Sequence, residues 1–502
     1  MAQGNATGRR VRLPYGMNKT IRHAAVFCLL MVLALLVRVT WVQAYQGRAL
    51  ADDKHNRRNV IAQYAQPLGN IIVAGSPVTG SKKTEGSDLE YKRTYTDGEL
   101  YSAVTGYSSQ AYGATQLEGI YSGVLDGTDS RLKNPADIVM GKQSAPGDVV
   151  TTIDPAVQKA AYEALGDKKG AAVAIDPKSG QILGLVSTPS YDPSKISGTT
   201  DGDAWQALTG DKDKPMVNRA LRQPLPPGST FKLVVAAAAL EDGRYGSVDE
   251  RTDSPNPYTL PGTRTVLRNE NASAPCEDAT LRTALKYSCN NVFGRLAVDL
   301  GQDKVKAMAE KFGFNTEKLD VPVRASQSVY PSGMDKAQTA LTGIGQFDVT
   351  ATPLQMAMVS AALANGGELA SPHMVSKVTD AGGDTLEDLA DRGDAGGERV
   401  VSSSTAEQLR SAMVTVVEEG TGTNARIGGV EVGGKTGTAQ HGVANSKTPF
   451  AWFTSYAKDK STGKEVAVAV VVEDSGAARS EVSGNGLAAP IAEKTMRAAL
   501  GR

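Results

Sequence analysis

A long uncharged run near the N-terminus constrains this chain more than any other feature of its sequence. Residues 24–37 (AAVFCLLMVLALLV) carry no charge, and after Arg38 the apolar stretch continues to Ala44. With Arg38 extending to the membrane interface, the stretch is long enough to cross a bilayer as one helix. Basic residues with no acid precede it, which favours a cytoplasmic N-terminus, although further basic residues follow it closely.

Two other interpretations of this run are open. A cleaved signal peptide has a similar pattern, but Val42-Gln43-Ala44 lacks the small-x-small sequence of a cleavage site. A buried core helix is the second, and the basic tail that leads straight into the run disfavours it. We therefore expect a cytoplasmic tail over residues 1–22, a transmembrane helix over 23–44, and a body outside the cytoplasmic membrane.

Size and charge exclude several classes of protein. A chain of 502 residues is too long for one ordinary core and suggests two soluble domains beyond the apolar segment. Its 54 basic and 54 acidic side chains balance, whereas a nucleic-acid-binding chain usually carries a basic excess. The three cysteines form no C-x-x-C pair and the chain has four histidines, which argues against a structural zinc site.

The cysteines carry one structural prediction. Cys28 lies in the apolar run, and Cys276 and Cys289 lie in the body. If the body is exported, these two share an oxidising compartment, which predicts one disulfide between them. Two unpaired cysteines that act as small apolar residues are the alternative.

Beyond the apolar run the sequence divides into two parts. Gly, Ser, Thr and Tyr are frequent from Ala44 to about Met140, which indicates a small, irregular, partly β-structured domain, placed at 45–146. The larger part, 147–502, carries the regular patterns: a helix capped by Asp154-Pro155 and ending near Leu165, a hairpin over 171–187, a buried helix over 233–240, an exposed acidic loop over 379–399, strands over 451–457 and 466–474, and a helix over 487–500. Helices with mostly hairpin-linked strands predict an α+β fold.

Three short motifs occur in a fixed order along this larger part. They are Ser229-Thr230-Phe231-Lys232, Ser288-Cys289-Asn290 and Lys435-Thr436-Gly437-Thr438. Each is weak alone, because S-x-x-K recurs at Ser130, Ser455 and Ser461, S-x-N at Ser254 and Ser483, and K-S-G at Lys178. The recurrences fall in polar or proline-flanked loops, at a strand end, in a lysine-rich turn, at the hairpin tip, or out of order, so context favours the first set.

The context of Ser229 is the informative one. Pro226-Pro227-Gly228 stiffens and then bends the chain, and an all-apolar helix follows. Ser229 then lies at the helix N-terminus and Lys232 lies three residues on, over the same face. Burial disfavours the ammonium form of a lysine, and a neutral lysine can remove the proton of a serine. The helix N-terminus adds N–H groups suited to a developing oxyanion.

Each motif also has a plain structural interpretation. Ser229 can be an N-cap with Lys232 extending to solvent. The segment Lys435 to Thr438 can be a glycine-rich turn, and Gly433, Gly434 and Gly437 would equally let a ligand backbone approach an edge strand. In that case an extended peptide would add to the edge, and Lys435 would attract its terminal carboxylate.

Taken together, the motifs resemble those of the penicillin-binding proteins and serine β-lactamases. PPGSTFK, SCNN and GGKTGTAQ carry the resemblance, in that order. Further stretches look like the class B, high-molecular-mass penicillin-binding proteins: residues 147–165, 171–193, 344–357 and 451–457. The N-terminal stretch YGATQLEGIYSGVLDG (112–127) is most similar to the penicillin-binding protein A group of actinobacteria, which implies a non-catalytic, pedestal or dimerisation-type domain.

The resemblance implies a role for each matching position. Ser229 would be the acylated nucleophile, Lys232 its general base, Ser288 a proton relay to the leaving D-alanine, and Asn290 the holder of Lys232 and of the substrate amide. Lys435, Thr436, Gly437 and Thr438 would bind the terminal carboxylate, with the backbone N–H groups of Ser229 and Thr438 as the oxyanion hole. The implied fold is a five-stranded antiparallel sheet flanked by helices. No metal and no organic cofactor are implied.

One departure from the family concerns the N-terminal domain. Many class B members carry Arg-Gly-x-Ile after the membrane segment, and the matching stretch here, Leu68-Gly69-Asn70-Ile71, has no arginine. The departure puts the usual packing of this domain in question and leaves the chemistry untouched.

The function that follows is a peptidoglycan D,D-transpeptidase, inhibited by β-lactams, that cross-links stem peptides in cell-wall synthesis and cell division. A D,D-carboxypeptidase or β-lactam hydrolase would use water in the second step, but no E-x-x-L-N stretch is present. A non-catalytic scaffold or sensor is the third candidate, and the intact motifs argue against it. Residues 44–140 are too few for a glycosyltransferase domain, so we expect a membrane glycosyltransferase as partner.

Overall fold

The computed structural model describes residues 15–46, 57–85, 87–133, 144–390, 397–442 and 445–502. The chain forms two units, one over Met1–Gln63 and one over Tyr64–Arg502. Much of the tail predicted at 1–22 lies outside the described residues.

The first unit contains the predicted membrane helix. α1 spans Tyr15–Trp41 and continues as one π-helical turn, Val42–Gln46, before α2, Arg57–Gln63. Within Lys19–Gln46 an 18-residue window has a mean hydropathy of 2.5, and the helix is long and apolar enough to cross a membrane. The helix begins within the stretch predicted as tail, because Pro14 directly precedes it and, after Gly16, neither glycine nor proline occurs until Gly47.

The second unit begins with a domain of short elements. Its strands are β1 Ile71–Val73, β2 Ser76–Pro77, β3 Thr79–Lys83, β4 Tyr91–Tyr95, β5 Ser108–Ser109 and β6 Gly113–Ala114, and its helices are α3 Gly98–Thr105, α4 Gln116–Ile120 and α5 Ser122–Leu125. The expectation of a small, β-rich, irregular domain is confirmed.

A buried arginine from elsewhere in this domain contacts the stretch that lacks the arginine of the family motif. Arg93, on β4, is buried; its Nη1 donates to the carbonyl of Gly69 at 2.6 Å and its Nε to Glu118 Oε1 at 2.6 Å. A guanidinium therefore does contact the Leu68–Ile71 stretch, but it comes from a different strand. The four-residue motif alone could not reveal this contact, because Arg93 and Gly69 are 24 positions apart in the sequence.

The remaining elements follow in chain order. The strands are β7 Asp148–Thr151, β8 Lys169–Ile175, β9 Ile182–Thr188, β10 Tyr258–Thr259, β11 Val266–Leu267, β12 Glu368–Leu369, β13 Val375–Thr379, β14 Thr385–Asp388, β15 Glu398–Arg399, β16 Glu431–Ala439, β17 Phe450–Lys458 and β18 Glu465–Asp474. The helices are α6 Pro155–Leu165, α7 Gly202–Gly210, α8 Arg219–Arg222, α9 Lys232–Glu241, α10 Leu281–Lys286, α11 Asn290–Leu300, α12 Gln302–Lys311, α13 Lys336–Thr342, α14 Pro353–Ala364, α15 Ser403–Glu419 and α16 Ala489–Leu500. The predicted hairpin, paired strands and helices are all present.

The central sheet is five-stranded and antiparallel, in the order β16-β17-β18-β8-β9. On β18, Val466, Val468 and Val470 face a core built with α6 and α16, whereas Ala467 and Ala469 face the core that contains α9 and α14. Both faces of the strand are covered, which is why it is apolar along its length rather than alternating. The expected five-stranded sheet flanked by helices is confirmed.

A second sheet ties the two domains of this unit together, in the order β14-β13-β7-β1-β2. β7 pairs in parallel with β1 and antiparallel with β13. The acidic stretch predicted as an exposed loop over 379–399 is exposed at its turn, but it contains β14 and β15; that part of the prediction is wrong. Thr385–Asp388 folds back on β13 because Gly382-Gly383 permits a tight turn there.

Candidate active site

Ser229 lies in a single 3₁₀ turn, Gly228–Phe231, which leads directly into α9. We call it the nucleophile turn. Gly228 has φ 55° and its N–H donates to the carbonyl of Gly345 at 3.0 Å, while Thr230 Oγ1 donates to the carbonyl of Pro227 at 2.8 Å. These bonds fix the turn at the helix N-terminus, as the sequence predicted, and leave Ser229 7% exposed.

Lys232 is the first residue of α9 and is fully buried. Its Nζ lies 2.8 Å from the carbonyl of Ser288, 3.1 Å from Ser288 Oγ and 2.7 Å from Asn290 Oδ1. Burial, and secondarily the positive charge of Lys435, hold the pKa of Lys232 well below the usual lysine value. The alternative in which Lys232 extends to solvent is therefore wrong, because apolar residues cover α9 on every side.

Ser288 brings the second motif to the first. Its backbone is left-handed, with φ 58°, a conformation that non-glycine residues adopt mostly where surrounding structure imposes it. Ser288 Oγ lies 3.1 Å from Lys232 Nζ and 3.0 Å from Lys435 Nζ, so one hydroxyl bridges two lysines. The neighbouring Cys289 is bonded to Cys276, which confirms the predicted disulfide and anchors the motif between α10 and α11.

Lys435 is buried in β16, the edge strand of the central sheet. Its Nζ donates to the carbonyl of Thr436 at 2.9 Å and to Ser288 Oγ. Burial lowers the pKa of Lys435 to about 7, and the charge of Glu270 opposes that shift. The hydroxyl of Thr436 pairs with Thr421 Oγ1 at 2.7 Å.

The glycines of β16 serve the protein's own packing. A Cβ at Gly437 would lie 2.9 Å from the carbonyl oxygen of Pro227, so this strand touches the nucleophile turn directly. A Cβ at Gly433 or Gly434 would meet the rings of Tyr456 or Phe453 at 2.3 and 2.4 Å. Ring side chains from β17 therefore fill the space beside Gly433 and Gly434 on that face of the sheet, and the approach of a ligand backbone along the edge of β16 stays a prediction.

The segment Arg268-Asn269-Glu270, which follows β11, was missed by motif analysis. Asn290 Nδ2 donates to the carbonyl of Arg268 at 2.8 Å, and the N–H of Asn290 donates to Asn269 Oδ1 at 2.6 Å. Asn269 also accepts from the N–H of Asn291. No sequence pattern marks these residues, since they act through contacts across about 20 intervening positions.

The recurrences at Lys178, Ser130 and Ser455 make none of the hydrogen bonds described for this site. Lys178 lies in the tight turn between β8 and β9, and Ser130 is exposed in a 3₁₀ turn. Ser455 lies inside β17 and is fully buried, so its placement at a strand end is wrong. Its hydroxyl donates to the carbonyl of Val468, which makes it part of the sheet.

The geometry meets the needs of serine acyl transfer. Ser229 lies in the turn that leads into a helix, three residues before a buried lysine whose pKa is depressed, and Ser288 links that lysine to Lys435. The fold and the site together define an acyltransferase that uses a serine nucleophile and has an α+β core built on an antiparallel sheet.

Comparison with known proteins names the family. The penicillin binding protein transpeptidase domain matches residues 170–497, and the penicillin binding protein A dimerisation domain matches residues 68–149. The first match spans more than half of the chain, and this protein belongs to the penicillin-binding protein transpeptidase family.

Relatives and solved structures agree over nearly the whole chain. Peptidoglycan D,D-transpeptidase PbpA of Mycolicibacterium smegmatis is 36% identical over 96% of this chain and 99% of its own length, and PbpA of Mycobacterium tuberculosis is 35% identical over the same shares. The ceftriaxone acyl-enzyme complex of penicillin-binding protein A from M. tuberculosis superposes with a TM-score of 0.80 at 35% identity, covering 88% of this chain and 100% of that one. A D,D-transpeptidase domain from Eggerthella lenta gives 0.73 at 32% identity, covering 87% and 98%.

Proposed function

We propose that this protein is a peptidoglycan D,D-transpeptidase that cross-links stem peptides through an acyl-enzyme on Ser229. One observation carries the proposal: Ser229 lies in the turn that leads into a buried helix, and the first residue of that helix, Lys232, begins a buried chain of hydrogen-bonding groups through Ser288 to Lys435. Relatives that share its family carry the same activity in their names.

In the first half-reaction, neutral Lys232 takes the proton of Ser229, and Oγ attacks the carbonyl between the two terminal D-alanines. The C–N bond then breaks, and the leaving D-alanine amine receives a proton relayed through Ser288. In the second half-reaction, the amine of another stem peptide attacks the ester carbonyl. The new C–N bond forms, the ester C–O bond to Ser229 breaks, and the proton lost by the amine returns to Ser229 Oγ.

Lys435, Thr436, Gly437 and Thr438 bind the terminal carboxylate of the donor. A cation beside two hydroxyls suits that anion, and the nucleophile turn lies against the same strand. The N–H groups of Ser229 and Thr438 form the oxyanion hole; the first belongs to a helix N-terminus, where N–H groups have no intrahelical acceptor. Asn290 holds Lys232 and the substrate amide.

β-Lactams acylate the same serine and act as covalent inhibitors. Penicillin-binding protein A from M. tuberculosis has been solved as acyl-enzyme complexes with ceftriaxone, imipenem and penicillin G. A β-lactam carries a carboxylate and a strained amide, which fit Lys435 and Ser229 respectively.

The chain works at the outer face of the cytoplasmic membrane, anchored by residues 23–44 after a cytoplasmic tail, 1–22. Residues 45–146 form the non-catalytic, pedestal or dimerisation-type domain and residues 147–502 the transpeptidase domain. The apolar helix Lys19–Gln46 and the two family matches support this division. A membrane glycosyltransferase supplies the glycan strands, because the described N-terminal domain is built from short elements and matches a dimerisation domain.

Covalent labelling of the detergent-solubilised chain with a fluorescent penicillin tests the proposal. The wild type is expected to hold the label for many minutes and Ser229→Ala to take none. Ser130→Ala is the matched control, because Ser130 begins an exposed S-x-x-K and its loss should leave labelling intact. Label that is lost rapidly would indicate a hydrolase, and an unlabelled folded wild type would favour a scaffold.

The role of Lys232 is tested separately. Lys232→Ala removes the base, so acylation is expected to slow by about a hundredfold or more. Stopped-flow acylation by penicillin measures this rate, with circular dichroism as the check on folding. An acylation rate equal to that of the wild type would exclude Lys232 as the base.

A further inference from the structure

Glu270 is an exposed residue on the segment that is hydrogen-bonded to Asn290, and the first half-reaction as written assigns it no role. It directly follows Asn269, whose side chain accepts the N–H groups of Asn290 and Asn291 at 2.6 and 3.2 Å. Consecutive Cα atoms are about 3.8 Å apart, so the backbone of Glu270 is fixed next to the second motif. Its side chain is exposed.

The charge of Glu270 reaches both reacting lysines. Its carboxylate raises the pKa of Lys232 and that of Lys435, in each case against the larger effect of burial. Among the described residues it is the carboxylate whose charge acts on both. Arg268 and Asn269 are held by Asn290, so the carboxylate stands on a braced segment rather than a free loop.

The two half-reactions differ in the charge that enters the site. The donor presents a carboxylate, which suits Lys435. The acceptor presents a primary amine, which is protonated at neutral pH. An exposed carboxylate whose charge acts on the reacting lysines also attracts that cation and concentrates it at the site.

We propose that Glu270 is the group that recognises the acceptor amine, a positioning residue for the second half-reaction. The inference rests on the proposed function and deepens it. Glu270 attracts the ammonium group of the incoming stem peptide and holds it beside the ester on Ser229, where it reacts after losing its proton to solvent. Glu270→Gln therefore lowers aminolysis of the acyl-enzyme by a cationic amine more than it lowers formation of the acyl-enzyme.

The test measures how the acyl-enzyme partitions between water and added nucleophiles. The full chain in detergent is acylated with a benzoyl-D-alanine thioester, and products are resolved with 1,5-diaminopentane, which is cationic, or hydroxylamine, which is uncharged at pH 8. Glu270→Gln is expected to lower the ratio of aminolysis to hydrolysis about five- to tenfold for the diamine and to leave it unchanged for hydroxylamine. Raised salt should shrink the difference, since the attraction is screened.

Two variants make the result specific. Glu277→Gln removes another exposed glutamate of the same segment and should leave both ratios unchanged. Glu270→Asp should recover part of the diamine ratio, because the charge is kept. An equal loss with both nucleophiles, or no loss with either, would overturn the inference.

The outcome is distinguishable from failure of the proposed function. If the wild type forms no acyl-enzyme, the proposed function fails. If wild type and Glu270→Gln both form it at similar rates and partition alike with the diamine, the inference about Glu270 alone is wrong.

Discussion

Replacing Lys435 by methionine is expected to make the protein more stable while it loses carboxylate binding. Lys435 is fully buried, and its Nζ has two partners, the carbonyl of Thr436 and Ser288 Oγ. Neither partner carries a charge. Methionine matches the length of the lysine chain and has no charge to bury.

The magnitude follows from the pKa of Lys435. Burial lowers it from the usual 10.5 to about 7. Each pKa unit corresponds to about 1.4 kcal/mol, so at pH 7 the folded state is destabilised by roughly 5 kcal/mol relative to one in which this lysine keeps its usual pKa. Leaving the carbonyl of Thr436 without its donor costs about 1–3 kcal/mol. The net gain in the free energy of unfolding for Lys435→Met is therefore roughly 2–4 kcal/mol.

The gain depends on pH with a definite sign. Between pH 7 and 10.5 the unfolded chain binds the proton of this lysine and the folded chain does not, so the stability of the wild type rises with pH in that window. The advantage of Lys435→Met is full below about pH 7 and shrinks by about 1.4 kcal/mol per pH unit above it. Glu270, whose charge also acts on Lys435, is kept in the variant, whereas Lys232 loses the positive charge that helps to lower its pKa.

Urea unfolding followed by tryptophan fluorescence measures this effect, because Trp452 is buried opposite Gly437 in the same sheet. Wild type and Lys435→Met are compared at pH 6.5 and pH 9, and penicillin acylation is recorded in parallel. A variant that is less stable at pH 6.5, or an advantage that does not change with pH, would refute the reasoning.

Three further outcomes are expected. Gly437→Ala places a Cβ 2.9 Å from the carbonyl oxygen of Pro227, so the rate of penicillin acylation should fall about tenfold or more. Gly428→Ala is the control, because a Cβ there has no atom within 4 Å and should leave the acylation rate unchanged. Equal rates for the wild type and both variants would contradict the close approach. Replacing both Cys276 and Cys289 by alanine opens a loop of 13-residue separation and should lower the free energy of unfolding by about 3 kcal/mol in urea, with reductant abolishing the difference from wild type. The second-order constant for penicillin acylation should fall as pH rises through about 7, because Lys435 loses its proton there; a constant rate up to pH 9 would argue against carboxylate binding by this lysine.

Local sequence determined the turn that carries Ser229 and the starts of the helices. The Pro-Pro-Gly approach and the apolar run after it specify a turn followed by a buried helix, and the structure has Gly228–Phe231 and α9 there. Asp154-Pro155 specifies a capped helix start, and the Asp154 side chain accepts from the N–H groups of Ala156 and Val157. Such features depend on residues a few positions apart, so a sequence alone expresses them.

Composition and order also determined the anchor, the class of fold and the choice of Ser229 over its recurrences. The cysteine pairing was an open choice in the sequence, because spacing does not say which thiols meet. The prediction of an exposed loop over 379–399 was wrong in part. β14 forms by pairing with β13, and its own polar residues give no sign of a strand.

Only the tertiary structure decided how the site works. Lys435 meets Ser288 across 147 positions, and Asn269 reaches the second motif through side-chain hydrogen bonds that no spacing rule describes. The depressed pKa values of the two lysines arise from burial, which depends on every element packed around them. A motif supplies the functional groups, but the energy of charging them is fixed by the surroundings that long-range packing creates.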